Sequence, residues 1–332
     1  MQHLLRIEQL TRQDCLALLT HAQAYLKPNE VALASEYQAV LKGKQVVTMF
    51  FEPSTRTRMS FAMAVHHLGG HVMDLNAMSS SVQKGETITD TALNLNAMGF
   101  NGFIIRHPEP GLPGRVAKAL PQGHVINAGD GCHQHPSQAL LDALTIQRYG
   151  KPFESLSVAI VGDVLHSRVA RSEVELLTLL GVPDIRLVVP PAVSPSAPWP
   201  NTRLVHKVIP GIQDVDVIIA LRGQVERMSS SILSQFRQQS PKFVIDQVNL
   251  AYAKPDVLVM HSGPITVGDE LAHDVLKDPR CVALEQVTYG VAMRMAILSQ
   301  WLTKPPTLSE KALFVEFIKY LNLTLTCPIS IT

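Results

Sequence analysis

The run Phe50-Phe51-Glu52-Pro53-Ser54-Thr55-Arg56-Thr57-Arg58 joins an apolar stretch to the start of a helix pattern. A helix start offers unpaired N–H groups and a partial positive charge. Two hydroxyls and a guanidinium there would make a phosphate cradle. The plain alternative is a helix cap with a surface Arg. The run Ser79-Ser80-Ser81-Val82-Gln83-Lys84-Gly85-Glu86 is small and polar and presents one ammonium; by itself it reads first as a solvated surface loop. In Asn127–Gln138, Cys132, His133 and His135 suggest zinc. Cys-His-x-His lacks a second ligand pair at a known spacing, so no metal is expected. His135, before Pro136 at a helix start, would instead direct its imidazole into a cleft above the strand ends, with Gln138 one turn further on.

Three more loops follow apolar stretches. Gly162–Ser172 carries Arg168 but no G-x-G-x-x-G, which disfavours a dinucleotide. Leu221–Arg227 carries Arg222, Gln224 and Arg227. His261-Ser262-Gly263-Pro264 holds a Gly-Pro bond that, if cis, would expose a carbonyl. Singly, each reads as an ordinary loop with solvated charges. Together, Arg56, Arg106, His135, Arg168 and Arg222 all follow expected strands. That edge of an open α/β sheet is where ligands bind, and cations gathered there suit a small polyanion in a cleft between domains.

The elements that must hold these residues alternate. Strands are expected at Gln45–Phe50, His71–Leu75, Gly102–Ile105, His124–Asn127, Ser157–Val161, Ile185–Val189, Val215–Ala220 and Val257–Met260. Helices are expected at Gln13–Leu26, Thr57–Leu68, Thr87–Met98, Pro136–Tyr149, Ser167–Leu180 and Gln286–Leu302. Apolar strands separated by helices predict an α/β chain: two domains, each a parallel sheet flanked by helices, with the site in the cleft between them. A break at Gly150-Lys151-Pro152 sets the boundary. Pro190–Pro200, with five prolines, excludes a regular helix.

Composition sets the outer bounds. The 332 residues suit two domains of roughly 150 residues each. A net charge of +1 and 5% aromatic content argue against a nucleic-acid partner. No apolar run approaches the roughly 20 residues of a membrane helix. Arg6, Glu8, Arg12 and Asp14 interrupt any signal-peptide core near the start. Four scattered cysteines, without a CxxC pair, read as free thiols in a reducing cytoplasm.

From about Gly43 to Leu302 the chain resembles the aspartate/ornithine carbamoyltransferase family, and more closely the catalytic chain of its aspartate branch. The resemblance rests on Ser54-Thr55-Arg56-Thr57-Arg58, Lys84-Gly85-Glu86-Thr87, Arg106-His107, Asn127–Gln138 and Arg222-Gly223-Gln224-Val225-Glu226-Arg227. It implies transfer of the carbamoyl group of carbamoyl phosphate to L-aspartate, an early step of pyrimidine synthesis, with no cofactor. It implies a carbamoyl phosphate-binding domain at 1–137 completed by helices in 286–332, an interdomain helix at 138–149 and an aspartate-binding domain at 150–285. By resemblance Ser54, Thr55, Arg56 and Thr57 hold phosphate, while Arg106, His135 and Gln138 address the carbamoyl group. Gly263 and Pro264 complete that pocket, and Arg168, Arg222 and Gln224 hold aspartate. Ser80 and Lys84 would reach a neighbouring subunit's site in a homotrimer with shared active sites, and Glu52 and Arg227 would bridge the domains. His166–Ser172 and Gln286-Val287-Thr288-Tyr289-Gly290 resemble a bacterial subgroup whose trimers assemble with dihydroorotase or a dihydroorotase-like partner. Ser262, Thr266 and Val267 depart from the family pattern, which would loosen their loop. Two rivals remain: ornithine carbamoyltransferase, disfavoured because Arg222 would repel an ammonium, and a non-catalytic carbamoyltransferase-like scaffold subunit.

Overall fold

A computed structural model of the chain describes residues 2–76, 81–120 and 122–303. Two all-parallel sheets form. The first contains β1 (Gln45–Phe50), β2 (His71–Leu75), β3 (Gly102–His107) and β4 (His124–Asp130), in the order β2-β1-β3-β4. The second contains β5 (Ser157–Gly162), β6 (Asp184–Val188), β7 (Thr202–Val205), β8 (Val217–Leu221) and β9 (Leu258–His261), in the order β7-β6-β5-β8-β9. The helices are α1 (Arg12–Gln23), α2 (Thr55–His67), α3 (Ile88–Ala97), α4 (Leu112–Ala119), α5 (Pro136–Arg148), α6 (Arg168–Leu180), α7 (Val208–Ile212), α8 (Ser230–Gln239), α9 (Gln247–Leu250) and α10 (Ala283–Leu302).

Alternation along each strand divides the core. Val46, Ile104 and Ile126 of the first sheet share one apolar cluster with Val158, Ile160 and Ile219 of the second, joined through α1, α5, α6 and α10. The opposite sheet faces have clusters of their own: Val47, Met49 and Phe103 pack with α4, and Val161, Ile218 and Val259 with α7. Strands covered on both faces need apolar residues at every position, which explains their continuous runs. Pro136 to Ile146 of α5 is buried throughout, so this helix belongs to the interior on every side.

Several elements escape the sequence pattern. β7 is a partly exposed edge strand without a continuous apolar run. α4 begins Leu112-Pro113-Gly114, a turn-like string in which proline occupies the first helical turn. α8 buries Phe236 alone, too little apolar stripe to reveal a helix. β3 runs on through Arg106 and His107, so Arg106 lies on the strand itself rather than beyond it. The Pro190–Pro200 stretch contains one short turn of 3-10 helix, Pro191–Val193. Cys15, Cys132 and Cys281 are unpaired; Cys327 and the tail after residue 303 lie outside the described residues. Among the described residues, no helix is long and apolar enough to cross a membrane.

The loop after β9 is tied down by its own residues. His261 Nδ1 accepts from the Gly263 N–H at 2.7 Å, and the Gly263-Pro264 peptide is cis. Glu270 Oε2 accepts from the Thr266 N–H at 2.7 Å, and Gly268 N–H donates to the Leu271 carbonyl at 2.9 Å. These bonds hold the segment that contains Ser262, Thr266 and Val267. Burial pushes the Glu270 carboxyl up to about 7, and the Asp269 charge adds to this; the Thr266 N–H and Arg222 oppose it. The neighbouring His261 is held down to about 3, mainly by burial, and stays neutral.

Between the usual carboxylate value and about 7, the folded chain keeps a proton on Glu270 that the unfolded chain releases. Its contribution to stability is therefore complete at acid pH and is lost as pH rises through neutrality. Glu270→Gln retains an acceptor for Thr266. Wild-type stability should fall relative to this variant between about pH 5 and 8, by up to about 3 kcal/mol. Denaturant melts of both proteins across that range check this, and parallel profiles would assign the titration elsewhere.

Candidate active site

A cleft of about 1080 Å³ opens over the C-terminal ends of both sheets. Its first-sheet wall is the β1–α2 connection, Arg106 and the start of α5. Its second-sheet wall is the start of α6 and the loops after β8 and β9. Ser54 takes the N-cap position of α2 without a side-chain cap bond, so its hydroxyl is not committed to that helix. The first N–H groups of α2, the hydroxyls of Thr55 and Thr57, and Arg56 cluster there. Arg56 Nε donates to the Ser262 carbonyl at 3.2 Å, which brings the loop after β9 against α2. Burial lowers the Arg56 guanidinium.

Glu52 sits among three guanidinia. Its Oε2 is 2.6 Å from Arg168 Nη1 and 3.6 Å from Arg106 Nε, and its Oε1 is 3.0 Å from Arg227 Nη2. Burial alone would raise this carboxyl. Arg168, Arg106 and Arg227 together outweigh burial and hold it below the usual range. Burial, then the Arg168 charge, pulls Arg106 down to about 9, so it remains a cation at neutral pH. Arg106 Nη1 donates to the Ala128 carbonyl and Arg168 Nη1 to the Gly131 carbonyl, at 3.3 and 3.1 Å.

Two glycines make this packing possible. Gly129 has φ +120°, and a Cβ there would lie 3.0 Å from Arg168 Nε. Gly263 has φ +66°, and a Cβ would lie 2.5 Å from Arg56 Cζ. Both positions combine the left-handed region with a guanidinium laid against the backbone, which requires glycine.

His135 is the N-cap residue of α5, and its backbone N–H donates to Ser172 Oγ at 2.9 Å. Burial drives its imidazole well below the usual histidine range, aided by Arg106, Arg168 and Arg294. It is therefore neutral at physiological pH, and its buried Nδ1 has no protein partner. A neutral ring among cations can donate one N–H to a ligand oxygen without adding charge. His133 and Gln134 turn instead to Asp130, through His133 Nδ1 at 3.0 Å and the Gln134 N–H at 3.0 Å.

On the other wall, Arg222 pairs with Glu226 at 2.5 Å and donates to Gln224 Oε1 at 3.3 Å. Buried Asp163 joins the two second-sheet loops, accepting from the Gln224 N–H at 2.9 Å and meeting His166 Nδ1 at 2.9 Å.

The cleft thus brings together Glu52, Ser54, Thr55, Arg56, Thr57, Arg106, His135, Gln138, Arg168, Arg222, Gln224, Arg227, Gly263 and Pro264. Lys84 is not among its lining residues; it lies exposed at the end of a 3-10 turn, Ser81–Lys84. Ser80 lies outside the described residues. Sequence reasoning missed Arg294, Glu226 and Gln286. A lone arginine inside the apolar helix run Val291–Leu298 was the available signal, because a buried cation requires compensation. Glu226 gave no such signal beside two arginines.

Two family models match the chain. Residues 2–148 match the aspartate/ornithine carbamoyltransferase carbamoyl-P binding domain, and residues 154–301 match the Asp/Orn binding domain. Aspartate transcarbamoylase from Trypanosoma cruzi in complex with carbamoyl phosphate is 32% identical, with a TM-score of 0.82, covering 90% of this chain and 95% of that one. The same enzyme with N-(phosphonacetyl)-L-aspartic acid is 31% identical at a TM-score of 0.82, with coverage of 90% and 95%. Ornithine carbamoyltransferase from Pyrococcus furiosus is 28% identical at a TM-score of 0.80, covering 90% and 96%. With both domain models matched in tandem across a cationic cleft, the chain belongs to the aspartate/ornithine carbamoyltransferase family.

Proposed function

We propose that this chain is an aspartate carbamoyltransferase, forming N-carbamoyl-L-aspartate and phosphate from carbamoyl phosphate and L-aspartate in pyrimidine biosynthesis. The observation that carries the reading is Arg222, whose guanidinium already holds a carboxylate, that of Glu226. A substrate carboxylate can replace Glu226 there, whereas the ammonium of ornithine would be repelled. The Trypanosoma cruzi complexes with carbamoyl phosphate and with aspartate support the same choice.

In this reading residues 1–137 with the C-terminal helices hold carbamoyl phosphate, α5 links the domains, and 150–285 bind aspartate. The phosphate lies on Ser54, Thr55, Arg56 and Thr57 at the start of α2. Arg106 and neutral His135 donate to the carbamoyl oxygen, and Gln138 with the Gly263-Pro264 backbone addresses the carbamoyl nitrogen. Arg168, Arg222 and Gln224 hold the aspartate carboxylates. The amine nitrogen attacks the carbonyl carbon, and negative charge grows on the carbonyl oxygen. Each donor aimed at that oxygen contributes about 3 kcal/mol to the transition state. Orientation of the two substrates supplies several kcal/mol more. The C–O bond to phosphate then breaks, and a phosphate oxygen takes the proton released from nitrogen. No protein nucleophile, covalent intermediate or cofactor enters the scheme. Exposed Lys84, with Ser80, completes a neighbour's site in a cytoplasmic homotrimer, and a dihydroorotase-like subunit is the larger-assembly partner the resemblance offers.

Purified chain should form carbamoyl-aspartate at least about a hundredfold faster than citrulline at equal substrate concentrations. A folded protein that makes neither product would establish the scaffold reading, and a preference for ornithine would overturn the role of Arg222. Arg56→Ala should lower kcat/KM by more than about tenfold, since it removes a charged donor from the phosphate site. Mixing inactive Lys84→Ala chains with inactive Arg56→Ala chains should restore part of the activity through sites that draw on one intact residue from each chain. Verified mixed trimers that stay inactive would count against shared sites.

A further inference from the structure

Behind the cleft, α5, α6 and α10 enclose a polar cluster of which the reaction scheme uses Gln138 alone. Asp142 and Glu173 are fully buried, and Gln138, Gln286 and Arg294 nearly so. One donor in the cluster is fixed by covalent structure. The His261 backbone N–H donates to Gln286 Oε1 at 2.8 Å, so the Gln286 NH2 group must face the other way. It lies 2.6 Å from Asp142 Oδ1, which therefore accepts. Gln138 Nε2 lies 3.0 and 3.1 Å from the two Asp142 oxygens. With Asp142 as acceptor, Gln138 must turn its own NH2 inward, and its amide oxygen is left to serve the cleft it lines.

Asp142 is kept an acceptor by its neighbours. Both Glu173 oxygens are buried with no donor reaching them, and Glu173 faces Asp142. Two facing carboxylates in a buried site do not both ionise. Arg294 is the cation that faces Asp142, and a single negative charge balances it. Burial, then the Asp142 charge, pushes Glu173 well above the usual range. Burial also raises Asp142, but bonds from Glu173, Gln286 and Gln138 and the Arg294 charge oppose this. The proton therefore resides on Glu173, which donates to Asp142.

We propose that Asp142 and Glu173, sharing one proton, are positioning residues that lock the Gln138 amide oxygen towards the cleft, so that the site selects a ligand bearing an N–H at that point. The inference rests on carbamoyl phosphate as ligand. Its amino group supplies the N–H, and acetyl phosphate, with a methyl in that place, supplies none.

The test is calorimetric binding of carbamoyl phosphate and acetyl phosphate to the full chain. Wild type should prefer carbamoyl phosphate by about tenfold or more, the usual cost of leaving a buried acceptor unpaired. Binding of neither ligand would sink the carbamoyl phosphate reading and this inference with it. Equal binding of both would overturn the inference alone. Asp142→Asn presents an amide that lets Gln138 turn over, so the preference should fall to within about threefold of unity. Glu173→Gln, whose NH2 group replaces the donated O–H, should keep it. A merely structural role would weaken both ligands alike and leave the ratio intact in Asp142→Asn, which would refute the proposal. If Asp142→Asn does not fold, infrared difference spectra of wild type against Glu173→Gln decide. A protonated-carboxyl stretch that persists above neutral pH in wild type supports the proposal, and its absence overturns it.

Discussion

Glu52 is one carboxylate set among Arg106, Arg168 and Arg227, and the geometry of the cleft depends on it. Arg106 comes from the first sheet, while Arg168 and Arg227 come from the second. Without Glu52, three cations would face one another across a partly desolvated gap, and their repulsion would open the cleft. With it, the two sheets are joined at the point where the strands end. The interior supplies the rest of the connection through the apolar cluster of α1, α5, α6 and α10. The two links differ in kind. The apolar one is indifferent to ligand, whereas the ionic one competes directly with any anion that enters.

The backbone prepares this arrangement before any side chain is chosen. Parallel strands direct their C-terminal ends to one edge of each sheet, and there the loops are free to carry cations. β3 extends far enough for Arg106 to be held by the sheet itself, opposite Phe50 of β1. Gly129 and Gly263 then let guanidinia lie against main chain where any other residue would clash. Asp163 holds the loops after β5 and β8 together, so Arg222 and Gln224 share one support with the start of α6.

Much of this was legible in the sequence. Most of the strands announce themselves as apolar runs where both faces of a sheet are covered, β2 with its exposed edge being the exception, and the cations stand out as charges at the ends of those runs. β7 and α8 did not, because an edge strand and a nearly unburied helix leave little periodic signal. Among the residues that line the cleft, those on motif loops were named from the residues and from the family resemblance. Those on α10, Arg294 and Gln286, were not, since the one signal for Arg294 was a single charge in an apolar run and Gln286 stands among polar neighbours at the start of the helix. Lys84 marks a different limit. Its motif was quoted from the sequence, yet it lies exposed and is not among the residues that line the cleft of the single chain.

The near-neutral net charge of +1 conceals how uneven the field is. Arginines lowered by burial, a neutral His135 and a Glu52 held ionised are consequences of one positive potential in a region of reduced dielectric. A ligand-free site of that kind would destabilise the fold if its cations stood alone. Glu52 and Glu226 relieve the cost by occupying guanidinia that an anionic substrate could otherwise use. They also keep those guanidinia pointed at the cleft, so a substrate carboxylate meets donors already oriented. The choice between substrates then falls to geometry and to the sign of the charge that arrives.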